Sequence, residues 1–511
     1  MPELSLVVLI GVSGSGKSTF AARHFRPTEV LSSDTCRGMV SDDENDQSAT
    51  GDAFDVLHYI AGKRLAAGRL TVVDATNVQR EARRPLIELA RAHDVLPVAI
   101  VLDVPELVCA ERNRLRSDRD FGDHVLRRQR QQLRRSLRGL AREGFRRVTV
   151  LSSPDEIEGA HIEREPAWTD KRHEHGPFDI IGDIHGCHAE LVELLTELGY
   201  EVDADGSSAR HPAGRRAFFV GDLVDRGPDI AGVLRRVMGM VAEGSALIVP
   251  GNHEDKLLRA LRGRKVKVSH GLAQSLEQLE AEPEAFRARV VEFLDGLVSH
   301  FVLDDGRLVV AHAGMKEALQ GRASGRVRAF ALYGETTGEV DEFGLPVRYP
   351  WADDYRGSAM VVYGHTPVPE ARWVNNTICV DTGCVFGGHL TALRYPEKEL
   401  VAVPAARVYY EPARPLDHPA ASPAAHAHAH DRAGAPVDTI DAAGQVGPVG
   451  PVGPVGELGQ ADPGGAGGGV VGLAGERVGD LLDVEDVMGK RRIDTRLLPS
   501  VTVREENAVA A

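Results

Sequence analysis

Cysteine is scarce: five in 511 residues (Cys36, Cys109, Cys187, Cys379, Cys384), scattered, odd in number and without a CxxC pair. That excludes a disulfide scaffold, argues against a structural zinc and points to free thiols in a reducing compartment. Long apolar runs are also missing. No stretch of about 18 uncharged apolar residues occurs, so no transmembrane helix is expected. The first residues, Met-Pro-Glu-Leu-Ser, carry neither the basic region nor the small-residue cleavage site of a signal peptide, so the expected location is cytoplasmic, with no membrane partner. Positive charge is not in excess either. Sixty basic against 75 acidic residues give a formal charge of −15, which excludes a uniformly basic protein that coats nucleic acid. What remains, 42% hydrophobic and 26% charged, is the balance of a globular protein too long for one core.

Along the chain, residues 4–165 alternate β-branched runs (LSLVVLI, LTVVDA, LPVAIVLDV) with amphipathic stretches (DAFDVLHYIAGKRLAAG, REARRPLIELARAH). This predicts an α/β domain with a mainly parallel sheet over residues 1–165. The run from 126 to 147, LRRQRQQLRRSLRGLAREGFRR, holds nine arginines and one acid. It is expected as a helix with Leu126, Leu133, Leu137 and Leu140 on its apolar face. Such runs are usually solvated surface; this one follows a phosphate-handling unit. A charged, Pro-containing break at 163–177 separates a second domain, 178–404, whose strands each run into a polar, Gly-containing turn. From 411 to 479 the composition collapses into HPAASPAAHAHAHD, a VGP repeat and a Gly-rich stretch, expected as a flexible linker. Its His426, His428 and His430 could hold a metal only adventitiously. Residues 480–511 regain strand-like patterning.

The first chemical site is Gly11-Val12-Ser13-Gly14-Ser15-Gly16-Lys17-Ser18, between a strand and a helix. This is the G-x-x-x-x-G-K-[ST] phosphate cradle in the context it requires. Gly11, Ser13, Gly14, Ser15, Gly16, Lys17, Ser18 and Thr19 are expected to bind the nucleotide, with Lys17 on the β/γ-phosphates and Ser18 on Mg²⁺. Beyond a second strand, Asp34 could deprotonate an acceptor hydroxyl and Arg37 hold an acceptor phosphate; the bland alternative is an N-cap and a surface arginine. Asp74 is either an outer-shell magnesium carboxylate or a cap. Arg112 and Arg116, four apart, are either a lid over the transferring phosphoryl group or a solvated face.

The second site is an ordered series of Gly-flanked turns: Asp183-Ile184-His185, Gly221-Asp222-x-x-Asp225-Arg226-Gly227, Gly251-Asn252-His253-Glu254, His312 and Gly364-His365. Mixed oxygen and imidazole ligands suit two divalent transition ions, Mn²⁺ being a good candidate. Asp183, His185 and Asp222 would hold one ion, and Asp222, Asn252, His312 and His365 the other, with Asp222 bridging. His253, oriented by Asp225, would protonate the leaving oxygen while Arg226 clamps the phosphate.

On GDIHG, GDLVDRGP, GNHE, HAG and GHTP, residues 178–395 resemble the calcineurin-like metallophosphoesterases. Residues 4–165 resemble the P-loop polynucleotide 5′-kinases. In this order, with SSDTCRGMVSDDENDQ, VDATNVQ and RRSLRGL between the motifs, the chain is similar to the bacterial polynucleotide kinase-phosphatases, a family of RNA repair enzymes. The resemblance implies a P-loop domain followed by an α+β metallophosphoesterase sandwich flanked by helices. It implies ATP or another NTP with Mg²⁺ as cofactor and RNA ends as substrate. It also implies a 2′,3′-phosphatase, a homodimer and a 3′-terminal RNA methyltransferase partner. It makes Asp34 the general base, Arg37 an acceptor-end ligand, Arg112 and Arg116 lid arginines, and Asp381 a residue lining the phosphatase pocket. The family's third module is a ligase; residues 480–511 resemble its entry but lack its Lys-containing motif, so ligase activity is expected absent. The alternative is a protein phosphatase or dinucleotide tetraphosphate hydrolase fused to a small-molecule kinase. A non-catalytic scaffold is disfavoured by the intact motifs at both sites.

Overall fold

The computed structural model describes residues 1–115 and 123–414. Arg116, residues 415–479 of the expected linker with its three histidines, and residues 480–511 lie outside the described residues. Residues 411–414 of that linker do belong to the ordered body, and Arg414 pairs with Asp341 at 3.5 Å.

The first domain is a five-stranded parallel sheet. Strands β1 (Ser5–Gly11), β2 (Val30–Ser32), β3 (Thr71–Asp74), β4 (Leu96–Leu102) and β5 (Arg147–Leu151) stand in the order β2-β3-β1-β4-β5. Every residue of β1 is buried, as its unbroken β-branched and aliphatic run requires of a central parallel strand. Helices α1 (Lys17–His24), α2 (Ser33–Ser41), α3 (Thr50–Ala66), α4 (Arg80–Ala92), α5 (Glu106–Arg114) and α6 (Asp123–Leu137) connect the strands. The arginine-rich run is not one helix to residue 147. It stops at Leu137, a short turn of helix spans Leu140–Glu143, and Arg147 opens β5. Gly139 interrupts the run, and Gly144, at φ 114°, sits in the left-handed region that ends helices. Leu126, Leu133 and Leu140 are buried as expected, and Leu137 packs against the same core.

The stretch 163–177 is not a bare linker. Its β6 (Asp170–Lys171) is the edge strand of a six-stranded sheet in the second domain. That domain continues through β7 (Phe178–Ile181), a small ribbon of β8 (Glu201–Val202) and β9 (Ala209–Arg210), β10 (Arg216–Phe219) and β11 (Ala246–Ile248). It proceeds through β12 (His300–Leu303), β13 (Leu308–Ala311), the hairpin of β14 (Thr336–Val340) and β15 (Pro346–Arg348), and β16 (Met360–Tyr363). Strands β17 (Trp373–Val374), β18 (Thr377–Cys379), β19 (His389–Tyr395) and β20 (Glu399–Pro404) complete it. Two mixed sheets, β11-β10-β7-β19-β20 and β17-β18-β16-β13-β12-β6, face each other across a core that includes Phe178, Phe218, Val310, Val362 and Leu393. Helices cover the outer face of the first sheet, and the helix Gly325–Tyr333 covers the second. The fold is therefore the P-loop domain with a parallel sheet, then the metallophosphoesterase sandwich.

Within this body the two domains are tied by Arg322. It donates to the carbonyls of Leu65 (3.1 Å) and Ala66 (2.8 Å) at the end of α3, and to His93 (2.6 Å) just past α4. A guanidinium satisfies the last carbonyls of two helices at once. Beside it Ser324 donates to Asp94 at 2.7 Å, and Arg326 pairs with the same carboxylate. Burial alone would raise the pKa of Asp94, but these donors outweigh it and hold the carboxyl below its ordinary range.

Candidate active sites

In the P-loop domain the cradle closes as the glycines dictate. Gly14 and Gly16 take φ 77° and 95°. A Cβ on Gly14 would lie 2.5 Å from the Cys109 carbonyl, and one on Gly11 2.6 Å from Ser15 Oγ, so neither position accommodates a side chain. Lys17 is buried, with Nζ donating to the carbonyls of Gly11 and Val12 at 3.0 Å each. Ser18 and Thr19 are exposed at the start of α1, and Ser15 Oγ is buried without a partner. Arg112 lies over the loop, Nη1 3.5 Å from the carbonyls of both Gly14 and Ser15. Sequence reasoning missed two polar neighbours of the loop: Asn113 donates to the Ser13 carbonyl (3.3 Å), and Gln129 accepts from the Ser13 amide (2.9 Å).

On the acceptor side, Ser32 rather than Asp34 caps α2, taking the Thr35 amide at 3.4 Å. Asp34 is instead paired with Arg37 at 2.9 Å, and Arg37, only 6% exposed, is fixed from behind by the Glu44 carbonyl at 2.6 Å. Asp74 ends β3, in register with Leu9 of β1 and buried; the N-cap position of α4 is Gln79, so Asp74 is not its cap.

In the second domain the ligand turns lie at the carboxyl ends of parallel strands in both sheets. Asp183 and His185 follow β7, Asp222 follows β10, and Asn252 follows β11; His312, His365 and Asp381 follow β13, β16 and β18. The backbone is bent sharply there: His185, Asp222, Asp225, Arg226 and His365 all have positive φ. Such backbone is costly for a residue with a Cβ, and five such residues cluster at this one site. Asp222 belongs to two groups whose candidate ligand atoms lie within 4.8 Å of one another, His185–Asp222–His253 and Asp222–His312–His365. Asn252 Oδ1 is 3.1 Å and His365 Nδ1 3.0 Å from His312 Nε2.

The histidines are oriented by their second nitrogens. His185 Nδ1 donates to the Val224 carbonyl (2.7 Å) and His312 Nδ1 to that of Val220 (3.0 Å), leaving the Nε2 lone pairs directed into the site. His253 Nδ1 meets Asp225 Oδ2 at 2.5 Å, and its Nε2 lies 3.1 Å from Arg226 Nη2. Arg226 also donates to His185 Nε2 at 2.6 Å and stacks over Phe386 and Tyr410. The arrangement places an imidazole, the carboxylate that orients it and a guanidinium against the ligand groups.

Burial disfavours charge on every group here. It pushes Asp183 well above the usual carboxylate range, with Asp381 and Asp222 repelling it further. Burial raises Asp222 likewise, with Glu254 adding to it, and pushes Asp381 up to about 6. It lowers His312 to about 3 and keeps His185, His253 and His365 well below their ordinary value. Asp183 Oδ1 and His365 Nε2 are buried without partners. Neutral imidazoles, mutually repelling carboxylates and orphaned lone pairs converging on one pocket fit divalent cations. Asp183, His185, Asp222, Asn252, His312 and His365 would hold them.

Three contributors went unread. Glu254 accepts the amides of Asp222 (2.8 Å), Leu223 (2.8 Å) and Gly251 (2.7 Å) and thereby fixes the bridging turn; burial pushes it up to about 7. Its signal was its place in GNHE. Ser275, fifty residues from Asp225, accepts that residue's amide at 2.9 Å and donates to its carboxylate. Arg348, from the β14–β15 hairpin, is half-buried, desolvation lowers its pKa to about 10, and its charge bears on His365 and His312. Neither of the last two sits in a motif.

Glycine completes the pocket. A Cβ on Gly364 would stand 2.0 Å from Asp183 Oδ1. Gly364→Ala is therefore expected to displace Asp183 and cut hydrolysis of a phosphate ester about a hundredfold, the usual effect of a misplacement near 1 Å. Circular dichroism should stay unchanged; wild-type turnover would show that Asp183 need not be held there.

Comparison with known proteins agrees with this geometry. Residues 6–140 match the model of the AAA domain, and residues 176–369 that of the calcineurin-like phosphoesterases. The bis(5′-nucleosyl)-tetraphosphatase PrpE [asymmetrical] of Anoxybacillus flavithermus is 48% identical over 245 residues, covering 47% of this chain and 99% of that protein. The protein of the same name from Bacillus subtilis is 45% identical over 238 residues, covering 46% of this chain and 97% of its own. The polypeptide is thus a phosphoryl-transfer and hydrolase enzyme with a nucleotide-binding P-loop domain in front. The chain belongs to the calcineurin-like phosphoesterase family.

Proposed function

We propose that this chain heals RNA ends: its P-loop domain phosphorylates a 5′-hydroxyl with an NTP, and its second domain removes a 2′,3′-cyclic or terminal phosphate. The observation that carries the reading is the Asp34–Arg37 pair on the acceptor side of the loop, 2.9 Å apart and braced by Glu44. A carboxylate beside a guanidinium suits an acceptor whose hydroxyl has a phosphate nearby, as a 5′-hydroxyl nucleotide has. In this reading Asp34 takes the hydroxyl proton, while Lys17 and Arg112 face the charge that spreads over the transferred group. In the second domain Arg226 clamps the phosphate, and His253, held by Asp225, delivers a proton to the leaving oxygen. The cations, when bound, supply Lewis acidity and an activated water; Mn²⁺ there and Mg²⁺ at Ser18 are the proposed identities.

A second reading has one observation in its favour: the 45% and 48% identical relatives are named for bis(5′-nucleosyl)-tetraphosphate hydrolysis. The same two-cluster site would then cleave a dinucleoside tetraphosphate, and the P-loop domain would serve a separate small acceptor. Both readings are tested together by incubating the full chain with ATP, Mg²⁺ or Mn²⁺ and an RNA bearing a 5′-hydroxyl and a 2′,3′-cyclic phosphate. Mass spectrometry follows both termini, with a dinucleoside tetraphosphate in parallel. Gain of the 5′-phosphate with loss of the 3′-end phosphate is expected. Untouched RNA with rapid cleavage of the tetraphosphate would replace the first reading by the second.

A further inference from the structure

Helix α6 has two faces with different work. Its inner face braces the phosphate cradle: Gln129 takes the Ser13 amide, and Arg130 donates to the Val104 carbonyl and pairs with Asp103 at 3.3 Å. Its outer face carries Arg127, Gln131 and Arg134 at i, i+4 and i+7, flanked by Arg128 and Arg135, and Arg138 follows in the turn past its end. These side chains are exposed and, together with Glu106 and with Arg130, which borders both faces, line a groove of about 830 Å³. Arg127 reaches Glu106 at 4.0 Å; no carboxylate among the described residues pairs with Arg128, Arg134, Arg135 or Arg138. Among the described residues these four guanidinium groups meet no carboxylate, although the chain's net charge is −15. Leaving them open costs stability and reserves them for an outside anion.

We infer that this outer face is a docking groove for the sugar-phosphate backbone of a single nucleic-acid strand, whose 5′ end enters the P-loop domain. The inference deepens the kinase reading and rests on it. From Arg127 to Leu137 the helix rises about 15 Å, with Arg138 in the turn just beyond, a span of about four phosphates at a 3.4 Å spacing. A planar fork of N–H donors suits phosphate oxygens, and contacts of this kind position a strand without reading its bases. Gln129 and Arg130 anchor the same helix to the cradle and to Asp103, so a strand lying along it rests on the element that braces the phosphate loop. The acceptor is then a polynucleotide, recognised several nucleotides beyond its end.

The test compares the full chain with the quadruple variant Arg128→Gln, Arg134→Gln, Arg135→Gln, Arg138→Gln. One probe is a 3′-labelled single-stranded RNA with a 5′-hydroxyl, about 20 nucleotides long so that it exceeds a typical single-strand site. The other is a nucleoside 3′-monophosphate, the shortest acceptor with the required groups. Fluorescence anisotropy should show at least tenfold weaker RNA binding by the variant, and a salt slope shallower by about 3, at about 0.7 per phosphate contact. KM for the RNA should rise toward that for the mononucleotide, whose kinetics should not change. Equal RNA affinity and slope for variant and wild type would overturn the groove, as would displacement of the RNA by polyglutamate at the concentration that unlabelled RNA requires. If the wild type phosphorylates neither acceptor while anisotropy still depends on the four arginines, the kinase reading and the entry of the 5′ end into the P-loop domain both fail, and only strand binding at the groove stands. Phosphorylation of both acceptors with the same KM would sink the groove and keep the kinase.

Discussion

Asp222→Asn is expected to lower phosphoesterase turnover at least about a thousandfold, because several kcal/mol of metal-based stabilisation are lost at about 1.4 kcal/mol per tenfold. Asp222 is the residue common to both ligand groups, and its Oδ1 also takes the His253 amide at 3.2 Å. The amide keeps the size and shape of the side chain but loses the charge that can hold two cations together. Metal content after gel filtration in Mn²⁺, read by atomic emission, should fall below that of the wild type. A second consequence has the opposite sign. Burial and then the Glu254 charge raise the Asp222 pKa, so ionising it in the metal-free fold costs stability. For a carboxyl raised above its unfolded value, stability is full below the ordinary carboxylate pKa and declines as pH rises toward the raised one. The metal-free variant should therefore melt higher than the metal-free wild type at neutral pH, and the difference should vanish below about pH 4. A variant that keeps its metal and turnover would remove Asp222 from the bridging position.

Much of this site was legible because every ligand but His312, which sits between two alanines, is followed or preceded by a glycine, and several of those glycines have no room for a side chain. Added Cβ atoms would lie 2.0 Å from Asp222 Oδ1 at Gly251, 2.0 Å from Asp183 Oδ1 at Gly364 and 2.3 Å from the Gly251 amide at Gly221. Glycine is forced there, so the chemistry appears in the sequence as short, ordered turns. The P-loop was legible for the same reason. What stayed hidden comes from far along the chain. Ser275 reaches Asp225 across 50 residues and Gln129 reaches Ser13 across 116, and neither partner leaves a local pattern. Arg348 arrives on a hairpin whose first strand is wholly exposed and carries no hydrophobic alternation to announce it. The arginine run misled in its length, since helical leucine spacing continues through Gly139 while the backbone does not.

Asp34→Ala is expected to reduce 5′-phosphorylation by roughly 10²- to 10⁴-fold, the range for removing a general base. Phosphoesterase turnover should be unaffected, because Asp34 lies in the first turn of α2 and the metal-ligand groups lie on the strand ends of the other domain. The structure supplies a rival explanation that the experiment must separate. Asp34 also pairs with Arg37, so its loss could act by releasing that guanidinium. Arg37 is, however, held independently by the Glu44 carbonyl at 2.6 Å and is 6% exposed, which fixes its position without Asp34. Asp34→Asn keeps an acceptor oxygen for Arg37 but cannot take a proton from the hydroxyl. If Asp34 is the base, the amide variant is as slow as the alanine variant, with KM for the acceptor near that of wild type. If Asp34 only positions Arg37, the amide variant recovers most of kcat and the alanine variant fails chiefly in acceptor KM. Loss of both activities from either change would contradict two independent sites in one chain. The braced geometry of Arg37 favours the first outcome, since a guanidinium already anchored by a carbonyl gains little orientation from a carboxylate that is itself partly exposed.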